Sequence, residues 1–291
     1  MPELPEVETM RRGIAAIVGS TIAGMSSPRS KMHPIKIVPP LGRFRRRVEG
    51  RRIVGVGRAG KRILIELDSQ DRIVIEPRMT GRLLLAEPPD RRHLRVVFDL
   101  TGGPAGRLFF WDSRGLGTVS LMSPDQLARE LGPEKLGPDA LEITAEDLRR
   151  RLGTSRRAIK VALLDQRALA GVGNLYASEI LHRAGLHPAI HCSRLLRGDW
   201  RRIHAAMQEV LNEAIELEGS TLADRNYRTA EDRPGGFQGR HRVYQRAGES
   251  CLQCGRGTIV RTVQAQRSTF FCPVCQDPRK GRRTSSRRAA S

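Results

Sequence analysis

The clearest chemical pattern in the sequence is a pair of Cys-x-x-Cys motifs near the C-terminus. Cys251 and Cys254 form the first motif, and after 17 intervening residues Cys272 and Cys275 form the second. Two such motifs at this separation are typical of a tetrahedral zinc site with four thiolate ligands. Because four thiolates leave no position for a reacting water, we expect one structural Zn²⁺. The alternating residues between the motifs predict a zinc-ribbon hairpin over 251–276.

The second chemical feature is the amino terminus. An initiator methionine is normally removed before a small residue, and Pro2 would then begin the chain with a secondary amine. An α-amino group has an ordinary pKa of about 7.7–8.0, so a usable fraction is neutral near pH 7. Such an amine can attack an aldehyde-like carbon and form an iminium. Glu3, the next residue, can serve as a general acid or base.

A third pattern, Gly171-Val172-Gly173-Asn174, lies between two predicted helices. Glycines at a helix start let backbone N–H groups approach a phosphate, and Asn174 adds an amide donor there. An ordinary glycine-rich connection explains the same residues equally well. Lysine usage is a further clue, because only six of the 51 basic residues are lysines. Only lysine can lose its proton and act as a nucleophile, so a lysine retained among arginines is a candidate for chemistry.

The composition favours a polyanionic partner. The 291 residues carry 51 Lys and Arg against 31 Asp and Glu, a net charge of +20, and nucleic acid is the obvious polyanion. A basic surface that only maintains solubility is the alternative. The 39% of hydrophobic residues exclude a wholly disordered chain. No apolar run reaches the ~18 residues of a membrane span and the acidic N-terminus is unlike a signal peptide, so we expect a cytoplasmic monomer without membrane contact.

Hydrophobic periodicity predicts the elements that position these residues. Apolar residues at helical spacing predict a first helix that begins near Pro5 and ends at Gly19. Segments of alternating polarity then predict an antiparallel β-sandwich. Its expected strands are Ile53–Val56, Ile63–Leu67, Ile73–Glu76, Leu83–Leu85, Leu94–Leu100, Leu108–Trp111 and Val119–Leu121.

The rest of the chain is predicted to be a linker followed by helices. Residues 131–141 contain two Gly-Pro steps, which are typical of an interdomain linker. Apolar stripes then predict helices after Thr144, over Ile159–Leu164 and Leu175–Ala184, and from Leu195 to Leu217. The polar stretch from 219 to 239 predicts a mobile loop. The fold class is therefore α+β with several domains.

Together these patterns resemble the formamidopyrimidine-DNA glycosylase family. Four segments carry the resemblance, in the family's order, over roughly residues 2–276. They are PELPEVET at 2–9, LDQRALAGVGNLYASE at 164–179, VYQRAG at 243–248 and QRSTFFCP at 266–273. Four separate motifs in one order make coincidence implausible.

The resemblance implies a bifunctional DNA glycosylase and abasic-site lyase. Such an enzyme removes oxidised purines, 8-oxoguanine and formamidopyrimidines, from duplex DNA. Pro2 would attack the sugar C1′ of a flipped nucleotide, and the iminium would permit β- and then δ-elimination. Glu3 would be the general acid and base, Glu6 a support of the pocket and Lys61 the catalytic lysine. The implied DNA contacts are Lys160, Asn174, Arg267, His93 and Arg114, and the implied intercalating residues are Met79, Arg114 and Leu116.

The resemblance also implies a domain order. We expect an N-terminal catalytic β-sandwich domain over 1–136 and a helix-two-turn-helix DNA-binding domain over 137–220. A flexible lesion-capping loop and connector would follow over 221–250. The zinc finger would occupy 251–276, and the basic residues 277–291 would form a disordered tail with non-specific affinity for phosphate.

Leu116 departs from the family pattern, which has phenylalanine at this position. A leucine can still wedge between bases, but it offers less stacking area. If Leu116 instead packs inside the sandwich beside Trp111, it is a core residue.

Two other functions remain open. The first is an endonuclease-VIII-like glycosylase for oxidised pyrimidines, although Leu4 stands where that branch usually has glycine. The second is a non-catalytic zinc-ribbon DNA-binding protein, although Pro2, Glu3 and Lys61 are all present.

Overall fold

The computed structural model describes residues 2–28, 32–221 and 227–278. These residues form two compact units. The sandwich unit takes the described residues of 1–136 and 212–239, and the helical unit takes 137–211 and 240–278. The sequence analysis divides 212–239 between the helical domain and the connector, whereas the structure groups these residues with the sandwich. Residues 222–226 of the predicted loop and 279–291 of the predicted tail lie outside the described residues.

The sandwich unit consists of two β-sheets and three helices among its described residues. The helices are α1 (Leu4–Gly13), α2 (Leu41–Val48) and α3 (Pro124–Leu131). The strands are β1 (Thr21–Ser26), β2 (Lys36–Val38), β3 (Ile53–Ala59), β4 (Arg62–Leu67), β5 (Arg72–Glu76), β6 (Gly81–Leu84), β7 (Leu94–Thr101), β8 (Arg107–Asp112) and β9 (Thr118–Met122). One sheet has the order β1-β7-β8-β6 and the other β2-β9-β5-β4-β3. All seven strands expected from the sequence are present.

The structure corrects three expectations for this unit. Strand β2 pairs in parallel with β9, so the sandwich is not purely antiparallel. Helix α1 ends at Gly13, not at Gly19, and a short 3₁₀ turn at Ala15–Ile17 follows it. A Cβ at Gly13 would lie 2.7 Å from the Cβ of Ala230, so glycine permits this close approach. Helix α3 occupies 124–131, immediately before the predicted linker.

The apolar face of α1 is the centre of the sandwich core. Val7 and Met10 of α1, with Ile14 and Ile17 directly after the helix, have no exposed surface, and the four pack in one cluster with residues of both sheets. This burial removes apolar surface from water at roughly 25 cal/mol per Å², the main stabilisation available to an amphipathic helix. The core therefore fixes the position of the chain's first residues.

The polar face of α1 is joined to β3 by a buried ion-pair cluster. The carboxylate of Glu8 accepts hydrogen bonds from Arg11 at 2.8 Å, from Arg12 at 2.9 Å and from Arg58 at 3.1 Å. Burial raises the pKa of Glu8, but the three guanidinium groups outweigh it and hold the pKa at about 2, below its ordinary 4.5. Glu8 therefore stabilises the fold in its charged form.

We expect Glu8→Gln to lower the free energy of unfolding at pH 7 by about 1–2 kcal/mol, because the folded protein binds this proton less readily than the unfolded chain and because water screens the partly exposed Arg11 and Arg12. A carboxyl whose pKa is lowered by folding stabilises the fold at every pH above its pKa in the unfolded chain. For Glu8 this contribution is lost as the pH falls from about 4.5 to about 2. On acidification through this pH range, the free energy of unfolding should therefore fall less in Glu8→Gln than in the parent. Urea unfolding at a series of pH values measures this.

The matched control is Glu49→Gln, which removes a more exposed partner of Arg45 on α2. An exposed pair of this kind contributes about 0–1 kcal/mol, so its acid dependence should match the parent. Equal acid dependence of the Glu8 variant and the parent would contradict the assignment.

The helical unit contains four helices and a hairpin among its described residues, except that residues 212–216 at the end of the fourth helix group with the sandwich unit. These elements are α4 (Ala145–Leu152), α5 (Ile159–Leu163), α6 (Asn174–Arg183), α7 (Arg197–Glu216), β10 (Val260–Gln264) and β11 (Arg267–Phe271). The second half of the predicted linker is anchored here. The N–H of Gly137 donates to the backbone carbonyl of Gln166 at 2.8 Å, and the N–H of Ala140 donates to that of Ala170 at 3.0 Å. Residues 137–140 are thus part of the helical unit, not a free connection.

Candidate active site

The first residues of the chain lie inside the sandwich unit. Pro2 is buried, and Glu3 and Glu6 are 4% and 3% exposed. The Glu6 carboxylate accepts the backbone N–H of Glu3 at 2.9 Å with one oxygen and that of Ser220 at 2.9 Å with the other. This arrangement holds the residue beside Pro2 in a fixed conformation. Glu6 therefore fixes the backbone beside Pro2.

The partners of Glu6 come from the stretch 219–239, which the sequence predicts to be a mobile loop without a site residue. Gly219 has a φ of +79°, and a Cβ there would lie 3.0 Å from Cγ of Glu6. Tyr227 is also buried here, and burial together with the Glu6 charge raises the pKa of its phenol well above 10.0. No local signal identifies these residues, because their contact with α1 is purely tertiary.

Lys61 lies in the turn between β3 and β4. Gly60, the residue before it, has a φ of +56°, and its carbonyl accepts a hydrogen bond from Arg58 at 3.0 Å. Arg58 also donates to Glu8 on α1. The helix that begins beside Pro2 and the turn that carries Lys61 are thus connected through Glu8 and Arg58.

The three candidate intercalating residues lie on two loops that one buried carboxylate joins. Asp112 is fully buried and accepts the backbone N–H of Gly117 at 2.8 Å and that of Arg114 at 3.2 Å. It also accepts the hydroxyl of Thr80, which follows Met79 in the other loop. Arg114 and Leu116 are exposed on their loop and Met79 is half-buried. The structure therefore brings the two loops together, and Asp112 is a residue that the sequence analysis did not select.

His93 lies on the same unit beside an aromatic side chain. Its Nδ1 is 3.0 Å from the Asp90 carboxylate, and its ring packs edge-on against Trp111 with the centroids 5.3 Å apart. The guanidinium of Arg82 lies 4.6 Å from the centre of the Trp111 ring. These contacts hold His93 in one orientation.

In the helical unit, Lys160 and Asn174 form one buried cluster with the hairpin. Lys160 is 1% exposed and donates to the Asn174 amide oxygen at 2.6 Å, to the Ser268 carbonyl at 3.0 Å and to the Thr269 hydroxyl at 2.8 Å. Asn174 donates in turn to the Ser268 carbonyl at 3.0 Å. The ammonium group of Lys160 is thus engaged inside the protein, and it orients Asn174 at the start of α6.

Arg267 is exposed at the beginning of β11, directly after the hairpin turn. The turn residues Ala265 and Gln266 both have positive φ, 46° and 61°. This conformation is unfavourable for residues other than glycine, asparagine and aspartate, and strained turns of this kind cluster at functional sites. Arg267 is thus the first residue of the strand whose next two residues, Ser268 and Thr269, contact Lys160 and Asn174.

The glycine-rich pattern at 171–174 has a structural role in the protein. The N–H of Gly171 donates to the side chain of Gln166 at 2.9 Å, and Gln166 donates to the Val172 carbonyl at 2.9 Å. Gly171 has a φ of +104°, which only glycine adopts readily. The ordinary connection between helices is therefore the correct interpretation for Gly171, and Gly173 is the residue that precedes α6.

Glu179 on α6 organises the residues that lead into the zinc finger. It is 3% exposed and accepts the backbone N–H groups of Arg242, Val243 and Tyr244 at 2.9, 3.0 and 2.7 Å. Burial raises the pKa of this carboxyl.

The four cysteines form a site that fits one zinc ion. Their Sγ atoms all lie within 4.8 Å of one another, and Cys251–Cys275 and Cys254–Cys272 are each separated by 3.8 Å. Zinc–sulfur bonds of about 2.3 Å require sulfur atoms about 3.8 Å apart in a tetrahedron, which matches. The backbone N–H groups of Gly257 and Cys275 donate to Sγ of Cys254 and Cys272 at 3.4 Å each, and such donors stabilise thiolates. The predicted structural zinc site is confirmed.

Comparison with known proteins gives the class of the chain. The model of the formamidopyrimidine-DNA glycosylase N-terminal domain matches residues 1–119, that of the formamidopyrimidine-DNA glycosylase H2TH domain matches 123–226, and that of the zinc finger found in FPG and IleRS matches 248–278. A sandwich with a buried N-terminal helix, an H2TH domain and a four-cysteine finger is the architecture of a DNA glycosylase of the Fpg type.

Individual relatives agree over nearly the whole chain. Formamidopyrimidine-DNA glycosylase of Chloroflexus aurantiacus is 42% identical over 95% of this chain and 98% of its own length. The crystal structure of MutM (Fpg) from Thermus thermophilus is 40% identical, with a TM-score of 0.81 over 94% of this chain and 98% of that one. A Lactococcus lactis Fpg mutant in complex with Fapy-dG-containing DNA is 32% identical, with a TM-score of 0.82 over 95% of this chain and 100% of that one. The chain belongs to the formamidopyrimidine-DNA glycosylase family, as its motifs predict.

The described residues include no helix that is both long enough and apolar enough to cross a membrane.

Proposed function

We propose that this chain is a bifunctional glycosylase and abasic-site lyase that excises oxidised purines from duplex DNA. After removal of Met1, the Pro2 nitrogen forms a bond to the sugar C1′ of a flipped nucleotide, and the bond between C1′ and the base breaks. Glu3 donates and accepts the protons that these steps require. Opening of the sugar ring leaves an iminium, which acts as the electron sink for β-elimination and then δ-elimination of the flanking phosphates.

The observation that carries this proposal is the burial of Pro2 and Glu3 at the start of a fixed helix. A nucleophile must be held near its target, and misplacement of about 1 Å can cost a hundredfold in rate. Here Glu6 bonds to the backbone of both Glu3 and Ser220, which limits such movement. Lys61, in a turn joined to the same helix through Arg58, supplies a cation for the developing negative charge.

We assign duplex binding to two exposed arginines, to a half-buried histidine and to the start of α6, which a buried cluster orients. Arg114, Arg267 and His93 present groups that can contact DNA, and Asn174 does so from the start of α6. Lys160 supports Asn174 by its hydrogen bond. Met79, Arg114 and Leu116 lie on loops joined by Asp112 and would fill the gap when the base leaves the stack. Lactococcus relatives have been solved both with Fapy-dG-containing DNA and with oxidised-pyrimidine-containing DNA, so the purine preference rests on the family motifs and on Leu4.

One assay separates this proposal from its two alternatives. The protein is incubated in parallel with two duplexes, one that contains 8-oxoguanine opposite cytosine and one that contains an oxidised pyrimidine. Borohydride is added to reduce any iminium to a stable adduct. An adduct supports the proposed function. An adduct that forms only with an oxidised pyrimidine supports the endonuclease-VIII-like alternative, and binding without an adduct on either substrate supports a non-catalytic DNA-binding protein.

Leu116 provides a test of the intercalation step. Because its side chain is 47% exposed, the alternative of a core residue beside Trp111 is excluded, and substitutions should leave the melting temperature unchanged. Leu116→Ala should weaken binding to damaged duplex but spare cleavage at a preformed abasic site, where no base must be expelled. Leu116→Phe should bind at least as well as the parent, with a gain below about 1 kcal/mol.

Equilibrium binding to lesion and undamaged duplexes measures both effects. Leu252→Ala is the control, since this leucine is 59% exposed and belongs to the zinc finger of the helical unit, whereas both loops belong to the sandwich unit. Unchanged lesion affinity in Leu116→Ala would contradict the assignment.

A further inference from the structure

A histidine outside the four cysteines is in direct contact with the zinc site. His182 lies in the last turn of α6 and is 1% exposed. Its Nε2 atom is 3.6 Å from Sγ of Cys251, a distance typical of a hydrogen bond to sulfur. The group of potential ligand atoms within 4.8 Å of one another contains the four cysteines and not His182. The imidazole therefore lies beside the sulfur tetrahedron and is not a fifth ligand.

The chemistry of the site fixes the direction of this hydrogen bond. A zinc-bound cysteine is a thiolate, which carries no proton and can only accept. Nε2 of His182 must therefore carry the proton and donate it to Cys251. An N–H···S bond withdraws electron density from the thiolate, and contacts of this kind orient metal ligands and tune their basicity.

A glutamine links the second Cys-x-x-Cys motif to the same region of the helical unit. Gln276, which is fully buried, accepts the backbone N–H of Cys272 at 2.9 Å and donates to the Leu186 carbonyl at 2.8 Å. Leu186 follows the C-terminal end of α6 by three residues. The end of α6 is thus bonded to one cysteine of each motif, directly through His182 and by way of Gln276.

We propose that His182 and Gln276 form an outer shell of the zinc site that holds the cysteine motifs against the end of α6. In this shell His182 donates to the Cys251 thiolate, and Gln276 fixes the backbone of Cys272. The proposal rests on the four-cysteine site and is independent of the proposed reaction at Pro2. Both residues are positioning residues, because they act on the metal through its ligands.

The outer shell has a consequence for the other end of α6. Asn174 begins this helix, and it bonds, together with Lys160, to the strand that leads into Cys272. Helix α6 is therefore joined to the finger at both of its ends. A weakened outer shell should release zinc faster and leave this cluster less constrained.

The test compares His182→Phe, which fills the same space without a donor, with His182→Gln, which restores an N–H at a similar reach. In the full-length zinc-loaded protein, we expect His182→Phe to release zinc to a competing chelator at least about tenfold faster, the lower end of the effect seen for outer-shell partners. His182→Gln should lie close to the parent. His204→Phe is the control, because this histidine bonds to the Ile143 carbonyl in the same unit and not to a cysteine.

A second readout separates the hydrogen bond from general destabilisation. In the Co²⁺-substituted protein, loss of the N–H donor leaves a more electron-rich sulfur, so the sulfur-to-metal charge-transfer band of His182→Phe should move to longer wavelength. His204→Phe should leave the band in place even if its melting temperature falls. Parental zinc release and an unshifted band in His182→Phe would overturn the proposal.

A measurement on the unmodified protein keeps the proposal testable if His182→Phe fails to fold. In ¹⁵N-histidine-labelled protein loaded with ¹¹³Cd²⁺, the Nε2–H proton of His182 should be observable, protected from exchange and coupled to the metal across the hydrogen bond. A ¹⁵N shift that shows an unprotonated Nε2 would overturn the proposal.

Discussion

Replacing Pro2 with glycine is expected to lower the rates of base release and strand nicking by about a hundredfold, equivalent to about 2.7 kcal/mol in the barrier. Proline supplies a secondary amine, whose iminium stays cationic, whereas the imine of a primary amine loses its proton near neutral pH and is then a poor electron sink. Binding to a duplex with an abasic-site analogue should persist, because Pro2 is assigned as the nucleophile and not as a phosphate contact.

Borohydride trapping and nicking of a duplex with 8-oxoguanine measure this prediction, and mass spectrometry establishes whether Met1 is removed. Pro5→Ala is the matched control, since it alters the other proline at the start of α1 and retains the terminal amine. A form that keeps Met1 should be inactive, because its amine is displaced by one residue. Near-parental nicking by Pro2→Gly would exclude the amino-terminal mechanism.

Replacing Cys272 with serine is expected to release the zinc and abolish binding to damaged duplex. Structural zinc sites contribute directly to folding, with apparent binding free energies of about 10–16 kcal/mol in zinc-finger peptides. The hairpin should therefore unfold, and the Lys160 ammonium should lose its bonds to Ser268 and Thr269. A buried ammonium without these partners is costly, so the disturbance should spread into α5 and α6.

The sandwich unit should stay folded in the same variant, because its core is formed by α1 and the two sheets. Hydrogen exchange resolved by segment measures both outcomes, together with metal content and duplex affinity. Cys192→Ser is the control, since this cysteine is buried but lies outside the four-sulfur cluster. Loss of protection throughout the sandwich, or retained zinc with full duplex affinity, would contradict the prediction.

Much of the fold could be predicted from the sequence because its signals are local. Short apolar runs between turn residues predict strands β3 to β9, with strict alternation in β4 and β9, and the spacing of the four cysteines predicts the zinc site. Both patterns depend only on neighbours in the chain and on the geometry of a strand or a metal. The four family motifs likewise predict the family that the comparisons confirm.

The missed elements have weak or conflicting local signals. Helix α2 has the sequence LGRFRRRV, in which only Phe44 and Val48 are buried, so its apolar stripe is too short to stand out. Strand β2 has three residues and pairs in parallel with β9, a partner about 80 residues away. The two Gly-Pro steps near 131–141 indicate turns but not what the turns bond to, and residues 137–140 prove to be anchored on 166–170.

The sequence by itself specifies which chemical groups are available. They are Pro2, the nearby acids Glu3 and Glu6, the lysines Lys61 and Lys160, and four cysteines at the spacing of a zinc site. How these groups are held depends on packing between distant segments. Glu6 bonds to Ser220 across 214 positions, Lys160 to Thr269 across 109, and Asp112 joins the loops of Met79 and Arg114. The physical reason is that spacing and periodicity report on a residue's chain neighbours. A buried carboxylate or ammonium finds its hydrogen-bond partners only when packing brings distant segments within about 3 Å.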